Sequence, residues 1–324
     1  MTTALNIIGF IVGLVVIIKG GDVFVDAAKW IAIKLKIPTF IVGATIVSIA
    51  TTLPEILVST IAAAEGSCGL AVGNAIGSVT ANTGLIMGIS LLFMSPKVNR
   101  KELVIRGGML LAAIGGLWLL SAMGVANGYT LTIIESIFLF ILFVVFIFEN
   151  VHSAKNGTVD IEVDEEQTER KNETIINIFK FIIGIACLTI GSRLLVDCGK
   201  FIATDLLHIS EAIVGLTIVA VGTSLPEAVT AISAIVKKQG NMSIGNIIGA
   251  NIIDTSLILP LCALISGGSL PVESSAVMID MPVCLGIAAI AIIPTIFQGE
   301  FKKYQGVIMV CAYIGYIAYM AVNM

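Results

Sequence analysis

The sequence predicts an all-α polytopic membrane protein in which ten transmembrane helices form two inverted five-helix repeats. Composition is the first observation: 57% of the 324 residues are hydrophobic, 12% are charged, and the mean hydropathy is +1.04. Soluble domains are nearer half apolar and a quarter charged, so lipid is the expected surrounding. The other two observations are a series of ten apolar runs and an internal repeat at a fixed spacing.

Each apolar run is close to the roughly 20 residues that a helix needs to cross a bilayer. No basic segment precedes the first run and no small-residue cleavage site follows it, which predicts a retained membrane helix rather than a signal peptide. The predicted spans are 5–33, 40–64, 69–94, 104–122, 130–149, 175–204, 212–236, 241–266, 276–295 and 305–322.

Basic residues predict the orientation of these spans. Alternate connections carry an excess of lysine and arginine, and such connections are typically cytoplasmic, so the N-terminus and the C-terminus are both predicted to lie outside. Compact loops and the lack of a targeting signal favour a multi-pass protein of a prokaryotic cytoplasmic (inner) membrane. The basic connections lie near residues 34–36, 97–101, 155–171, 237–238 and 302–303.

The internal repeat keeps one fixed offset along the chain. IVGATIVSIATTLPEILVSTIAA from Ile41 matches IVGLTIVAVGTSLPEAVTAISAI from Ile213, and GNAIGSVTANTGLI from Gly73 matches GNIIGANIIDTSLI from Gly245. A weaker match precedes both. Five spans per copy is an odd number, so the copies should insert with opposite orientation, as in inverted-repeat transporters. The predicted divisions are a first repeat at 1–149, an acidic cytoplasmic linker at 150–174 and an inverted second repeat at 175–324.

Glu55 lies within the second predicted span and Glu227 within the seventh, at equivalent positions of the repeat. A charged side chain at mid-bilayer costs roughly 2.5–3.5 kcal/mol on insertion scales, so each carboxylate should face a cavity and a cation. Glutamates at equivalent repeat positions are expected to meet in one site. Hydroxyl side chains recur at spacings of three and four on the same helical faces: Ser48, Thr51, Thr52, Ser59, Thr217, Thr223, Ser224 and Thr230.

Pro54 and Pro226 each precede a glutamate. Proline lacks the amide hydrogen that would bond Ala50 or Gly222, so each helix should break there. Irregular backbone in a membrane is tolerated where it lines a cavity, and freed carbonyls are candidate cation ligands.

The third and eighth spans add a second polar layer. Asn82 and Asp254 are equivalent in the repeat, so the pocket is asymmetric by one charge. Three sodium ions would neutralise Glu55, Glu227 and Asp254, whereas one calcium would leave one negative charge, so the two ions should compete and exchange. The candidate ligand atoms are all oxygens, which suit such hard cations. The other polar residues of this layer are Asn74, Ser78, Asn246 and Asn251.

Two further expectations concern packing. Gly73 and Gly77, and likewise Gly245 and Gly249, are four residues apart, a spacing that allows close helix approach. Asp26 and Lys29 are three residues apart and predict a local ion pair.

At TTLPE (Thr51 to Glu55) and GTSLPE (Gly222 to Glu227) the chain resembles the calcium/cation antiporter superfamily, most closely the prokaryotic sodium/calcium exchangers. The resemblance covers essentially the whole chain. It implies calcium for sodium exchange by alternating access, with sodium sharing the calcium-binding carboxylates and the first and sixth spans sliding as a gate. The implied calcium ligands are Glu55, Glu227, Thr51 and Thr223; sodium adds Ser78 and the carbonyls of Ser48 and Ala220; Thr52, Ser224, Asn82 and Asp254 line the site.

The family's GSN triplet is divided between the repeats. Gly77-Ser78-Val79 keeps the serine, and Gly249-Ala250-Asn251 keeps the asparagine. Ala250 has no hydroxyl, which leaves a calcium/proton antiporter as the alternative, because buried carboxylates can also take up protons.

Other classes fit less well. A passive cation channel would show flux without a counter-ion. An intramembrane hydrolase would need a His-metal or Ser-His constellation that the motifs lack, so the chain is not predicted to be an enzyme. A net charge of −4 argues against nucleic acid. The predicted partners are calcium and sodium ions and the lipid bilayer, with no cofactor and no obligate protein partner.

Overall fold

The computed structural model describes residues 3–123, 129–156, 173–202, 205 and 220–323. Helices α2, α4, α10 and α11 each contain one π-helical stretch. The elements in chain order are α1 (Thr3–Leu35), α2 (Thr39–Thr51), α3 (Leu53–Ala64), α4 (Cys68–Phe93), α5 (Arg100–Met123), β1 (Thr130–Thr132), α6 (Ile133–Asn156), α7 (Glu173–Phe201), α8 (Ala220–Thr223), α9 (Leu225–Val236), α10 (Gly240–Ile265), β2 (Ser269–Pro271), α11 (Ala276–Gln298) and α12 (Lys303–Asn323).

Most of these helices can cross a membrane. Within the described residues, eight helices are long and apolar enough, and α2 with α3 makes a ninth if the bent pair is one span. The prediction of a helical membrane protein is confirmed, and the described helices lie within a few residues of the predicted spans. The structure describes the predicted span 212–236 only from residue 220 onward. Within it, α9 is an apolar helix that is shorter than the eight helices counted above. Ile134, Phe148 and Ile190 are exposed, as lipid-facing side chains require.

A short two-stranded sheet occurs at the start of one predicted span. Strand β1 pairs antiparallel with β2, and the buried side chains Leu131 and Leu270 lie opposite each other. The predicted span at 130–149 therefore starts with a three-residue strand, and its helix α6 begins at Ile133. The Thr-Leu-Thr alternation suits a pleated strand, and the Glu135 side chain accepts a hydrogen bond from the Thr132 backbone at 2.6 Å, which marks the start of α6.

The predicted linker is described only at its ends. Residues 150–156 continue α6, and α7 begins at Glu173; residues 157–172 lie outside the described part of the chain.

The described helices group into two compact units. The first unit combines residues 1–51 with 150–246, and the second combines residues 52–149 with 247–324. Each unit therefore takes one segment from each sequence repeat. The division between Thr51 and Thr52 coincides with the gap between α2 and α3.

Glycines bring α1 and α7 into backbone contact in the first unit. A Cβ atom added at Gly191 would lie 2.8 Å from the backbone nitrogen of Ile17. One added at Gly20 would lie 3.3 Å from the backbone nitrogen of Leu188. Gly191 follows Gly20 by the same interval as Leu188 follows Ile17, so these two contacts are reciprocal.

A second pair of contacts between α1 and α7 has the same relation. A Cβ atom at Gly13 would lie 3.1 Å from the Leu195 side chain, and one at Gly184 would lie 2.7 Å from the Phe24 side chain. The interval that separates Gly20 from Gly191 also relates these positions. Reciprocal contacts of this kind are the mark of a two-fold relation between the two helices.

A polar cluster joins α1 to α9. Ser233 donates a hydrogen bond to the Asp22 carboxylate at 2.9 Å, and Lys237 donates to the Asp22 carbonyl at 2.5 Å. Lys237 also forms an ion pair with Asp26 at 2.8 Å. The predicted pairing of Asp26 with Lys29 is therefore wrong. Lys237 lies at the end of α9 and contacts two oxygens of α1, the Asp22 carbonyl oxygen and an Asp26 carboxylate oxygen.

Pro294 interrupts the hydrogen-bond ladder of α11, and Gln305 of α12 compensates for it. Proline has no amide hydrogen to bond the Ile290 carbonyl. The Gln305 Nε2 donates to the carbonyl oxygens of Ile290 at 2.9 Å and Ala291 at 3.0 Å, and its Oε1 accepts from the backbone of Lys302 at 2.8 Å. Gln305 is fully buried. One side chain thus joins the bend of α11 to the start of α12.

Replacing Gln305 by alanine should destabilise the second unit. The Ile290 carbonyl would be left buried without its donor, which lowers the free energy of unfolding by about 1–3 kcal/mol. Thermal unfolding of the detergent-solubilised protein measures the change. Gln298→Ala is the matched control because Gln298 is exposed and its Nε2 donates to the Tyr304 hydroxyl rather than to a backbone carbonyl. Equal midpoints for the two variants would contradict this role of Gln305.

Candidate cation-binding site

Two helices are interrupted at equivalent positions of the sequence repeat. Helices α2 and α3 flank Thr52 with a bend of 46° between them. Helices α8 and α9 flank Ser224, the repeat equivalent of Thr52, in the same way. Pro54 and Pro226 occupy the first turns of α3 and α9, where a missing amide hydrogen is tolerated. The prolines therefore begin new helices instead of distorting old ones.

Each interruption is followed at once by a buried glutamate. Glu55 lies in the first turn of α3 and is 1% exposed; Glu227 lies in the first turn of α9 and is 0% exposed. Amide hydrogens at the start of a helix have no partners within the helix, and the helix dipole is positive there. Both effects stabilise an ionised carboxylate, so each glutamate occupies a helix position suited to negative charge.

A chain of hydrogen bonds links α2, α10 and α9 in the first unit. The Thr51 hydroxyl donates to the Asn246 Oδ1 at 3.2 Å, and the Asn246 Nδ2 donates to the Thr230 hydroxyl at 3.1 Å. Thr230 in turn donates to the carbonyls of Pro226 at 2.8 Å and Glu227 at 3.0 Å. All of these side chains are buried. Asn246 therefore ties Thr51 to the first turn of α9.

The remaining predicted ligands of the first unit lie close to the same helix ends. Ser48 is buried, and its hydroxyl donates to the Thr45 carbonyl at 3.1 Å. Thr223 and Ser224 are buried as well. The Ser224 Oγ has no hydrogen-bond partner among the described residues, so this oxygen can contact an ion. Ala220, predicted to contribute its backbone carbonyl, is the first residue of α8.

A corresponding bond lies in the second unit. The Asn74 Nδ2 of α4 donates to the Ser59 hydroxyl of α3 at 2.9 Å. Ser78 follows Asn74 by one helical turn and is buried. Asn74 and Asn246 are equivalent in the repeat, so both use an amide to hold the helix that carries a glutamate.

A second amide pair connects α4 to α10 in this unit. The Asn82 Nδ2 donates to the Asn251 Oδ1 at 3.1 Å, and the Asn251 Nδ2 donates to the Thr83 hydroxyl at 2.7 Å. The Asn82 Oδ1 is buried and has no hydrogen-bond partner within the described part of the chain. Asp254 is fully buried. Asn82 and Asp254 also begin the π-helical stretches of α4 and α10, a distortion frequent at functional sites.

The sequence reasoning missed parts of these networks. It named Asn246 and Asn251 without their bonding partners, and it did not single out Thr83. A signal was present, because Thr83 aligns with Thr255 at the fixed offset of the repeat.

The expected close approach of glycines is found at Gly245 and not at Gly73. A Cβ atom added at Gly245 would lie 2.2 Å from the Phe40 carbonyl oxygen, and one at Gly43 would lie 2.3 Å from the Met242 carbonyl oxygen. A Cβ atom at Gly73 would meet no atom of the described packing within 4 Å. Gly73 is on an exposed face of α4, so the equivalent residues have different surroundings.

The family profile described as "Sodium/calcium exchanger protein" matches residues 5–151 and 176–322. The chain belongs to this family. The resemblance predicted from the two Pro-Glu motifs is thus confirmed, and membership of an exchanger family agrees with a transporter rather than an enzyme. The unmatched residues 152–175 between the two segments coincide with most of the predicted linker.

Similar proteins match this chain over almost its whole length. An uncharacterized membrane protein of Methanocaldococcus jannaschii is 32% identical, covering 95% of this chain and 96% of the relative. Sodium/calcium exchanger MaX1 of Methanosarcina acetivorans is 30% identical, covering 96% and 97%. A structure of the sodium-calcium exchanger NCX_Mj, soaked with sodium and strontium, matches with a TM-score of 0.81 and 30% identity, covering 98% and 99%.

Replacing Gly245 by alanine should disrupt the first unit. The new Cβ would meet backbone atoms of α2, which cannot rotate aside, so α2 or α10 must shift and the bond between Thr51 and Asn246 should be lost. Overpacking of this kind costs about 1–3 kcal/mol. Thermal unfolding and the yield of monodisperse protein measure the effect. Gly73→Ala is the repeat-matched control and should behave like the wild type; equal loss in both variants would contradict the packing argument.

Proposed function

We propose that this protein is a secondary antiporter that exchanges calcium for sodium across the membrane by alternating access. The observation that carries the proposal is the pair of equivalent helix interruptions, each followed by one buried glutamate in a helix first turn. Such a carboxylate in an apolar protein needs a cation or a proton. The names of the relatives MaX1 and NCX_Mj support calcium and sodium as the ions.

In this proposal the same carboxylates serve both ions. Glu55 and Glu227 bind calcium, assisted by Thr51 and Thr223. Sodium uses those four residues together with Ser78 and the carbonyls of Ser48 and Ala220. Thr52, Ser224, Asn82 and Asp254 line the site. The buried oxygens Ser224 Oγ and Asn82 Oδ1 support these last assignments, because neither has a hydrogen-bond partner among the described residues.

We further propose the complete architecture of ten spans in two inverted repeats, with both termini outside a cytoplasmic membrane. The reciprocal contacts of α1 and α7 support the inversion, since repeats of opposite orientation relate residues in this way. Profile matches to two segments of equal length support the repeat. The proposed orientation follows from the positions of the lysine and arginine residues.

Alternating access is proposed to use sliding of α1 and α7. Glycines of each helix lie against backbone and side-chain atoms of the other, for example Gly191 against the Ile17 backbone and Gly13 against Leu195. Small residues of this kind let two helices approach closely, which supports movement of α1 and α7 as a pair.

Uptake of calcium-45 into sodium-loaded proteoliposomes tests the exchange. An outward sodium gradient should drive uptake, and potassium or proton gradients should not. Glu55→Gln and Glu227→Gln each remove a charged ligand and should reduce uptake at least about thirtyfold. Glu65→Gln is the control, because this glutamate ends α3 and is exposed.

Each alternative has its own outcome in this assay. Uptake driven by protons in the absence of sodium would replace the proposal by calcium/proton antiport. Equal uptake under every gradient would exclude coupled exchange and favour a passive channel. Unchanged uptake in either glutamine variant would remove that glutamate from the site.

Replacing Ala250 by serine should increase the apparent sodium affinity about two- to tenfold. The change adds a hydroxyl oxygen at the position equivalent to Ser78, and one such polar contact contributes about 0.5–1.5 kcal/mol. The sodium dependence of calcium release from proteoliposomes measures it. Ala263→Ser adds the same hydroxyl to another fully buried alanine of α10 and should leave the sodium dependence unchanged. No change in Ala250→Ser would mean that this position does not contact sodium.

A further inference from the structure

Helix α7 is bonded to the interruption between α8 and α9 through one side chain. The Ser192 hydroxyl donates to the Gly222 carbonyl oxygen at 2.7 Å, and the Ser192 side chain is buried. In a continuous helix the Gly222 carbonyl would accept a hydrogen bond from the amide of residue 226, but Pro226 has no amide hydrogen. A hydroxyl from another helix supplies the donor instead.

Packing holds the donor and acceptor in register. A Cβ atom added at Gly222 would lie 2.2 Å from the Val196 side chain, so α7 lies directly against α8 at this point. Ser192 and Val196 are four residues apart and share one face of α7. That face therefore both contacts the last turn before the interruption and supplies its hydrogen-bond donor.

The two repeats differ at this point. Under the relation that pairs Gly20 with Gly191, the residue of α1 that corresponds to Ser192 is Gly21, which has no hydroxyl. A serine at position 21 would not restore the symmetry, because a Cβ atom there would lie 2.4 Å from the Val229 side chain. The serine on α7 is thus a property of the second repeat, next to Thr223 and Ser224.

We infer that Ser192 is a positioning residue for calcium binding at the second interruption. Its hydroxyl fixes the peptide group between Gly222 and Thr223 and thereby orients the Thr223 and Ser224 oxygens toward the ion. Without the donor, the buried Gly222 carbonyl must find another partner, so its peptide group rotates and carries Thr223 with it. The inference rests on the proposed function, in which Thr223 binds calcium.

The experiment combines transport kinetics with ion binding by the full-length protein. Ser192→Ala should raise the KM for calcium about tenfold, a change of about 1.4 kcal/mol, while the maximal rate of calcium-45 uptake changes little. The calcium concentration that produces a given rise in the unfolding temperature should increase by the same factor. Ser192→Cys keeps a weak donor of similar size and should fall between alanine and the wild type.

The control is Ser243→Ala. Ser243 is buried in the first unit, and its hydroxyl has no hydrogen-bond partner in the described part of the chain, so its loss should leave both calcium readouts unchanged. A wild-type KM in Ser192→Ala, or equal shifts in Ser192→Ala and Ser243→Ala, would overturn the inference. A wild-type protein with neither calcium-dependent stabilisation nor uptake would instead overturn the proposed function. Should the alanine variant fail to fold, a wild-type KM in Ser192→Cys overturns the inference equally.

Discussion

Burying carboxylates among apolar helices is the constraint on which the rest of the structure depends. An ionised group can stay there only beside groups that replace its water. Interrupting a helix supplies such groups but also exposes backbone that lipid cannot bond. Accordingly, the polar amides lie on the most enclosed spans: the apolar windows of α4 and α10 are 72% and 83% buried, against 22% for α6 and α7. Asn74 and Asn246 then hold the helices that carry Glu55 and Glu227.

The two repeats share features of their backbone but differ in their side chains. The interruptions at Thr52 and Ser224 and the π-helical stretches that begin at Asn82 and Asp254 coincide under one offset. The side chains do not: Asn82 is neutral where Asp254 is acidic, and Ser78 has a hydroxyl where Ala250 has none. The Asp254 charge and the Ser78 hydroxyl therefore have no counterpart at the equivalent positions Asn82 and Ala250.

Patterns that extend over many residues were predictable from the sequence. Apolar run length located the helices, and the Pro-Glu motifs pointed to the residues beside the interruptions. Pairings decided by tertiary packing were not predictable. Asp26 bonds Lys237 because α9 lies on α1, and Gly73 is exposed although its equivalent Gly245 contacts Phe40. Spacing along one helix describes neighbours on that helix, and it contains no information about which distant helix packs against it. Strand β1 was missed since three residues give too short a pattern.

The interleaving of the two compact units has a consequence for biosynthesis. The first unit requires residues 1–51 and 150–246, so α1 enters the membrane long before its partner α7 exists. At about 5–20 residues per second, the stretch from Gly20 to Gly191 takes roughly 9–34 s to translate. During that interval the glycines of α1 that contact α7 have no α7 beside them, and Asp22 has neither Ser233 nor Lys237.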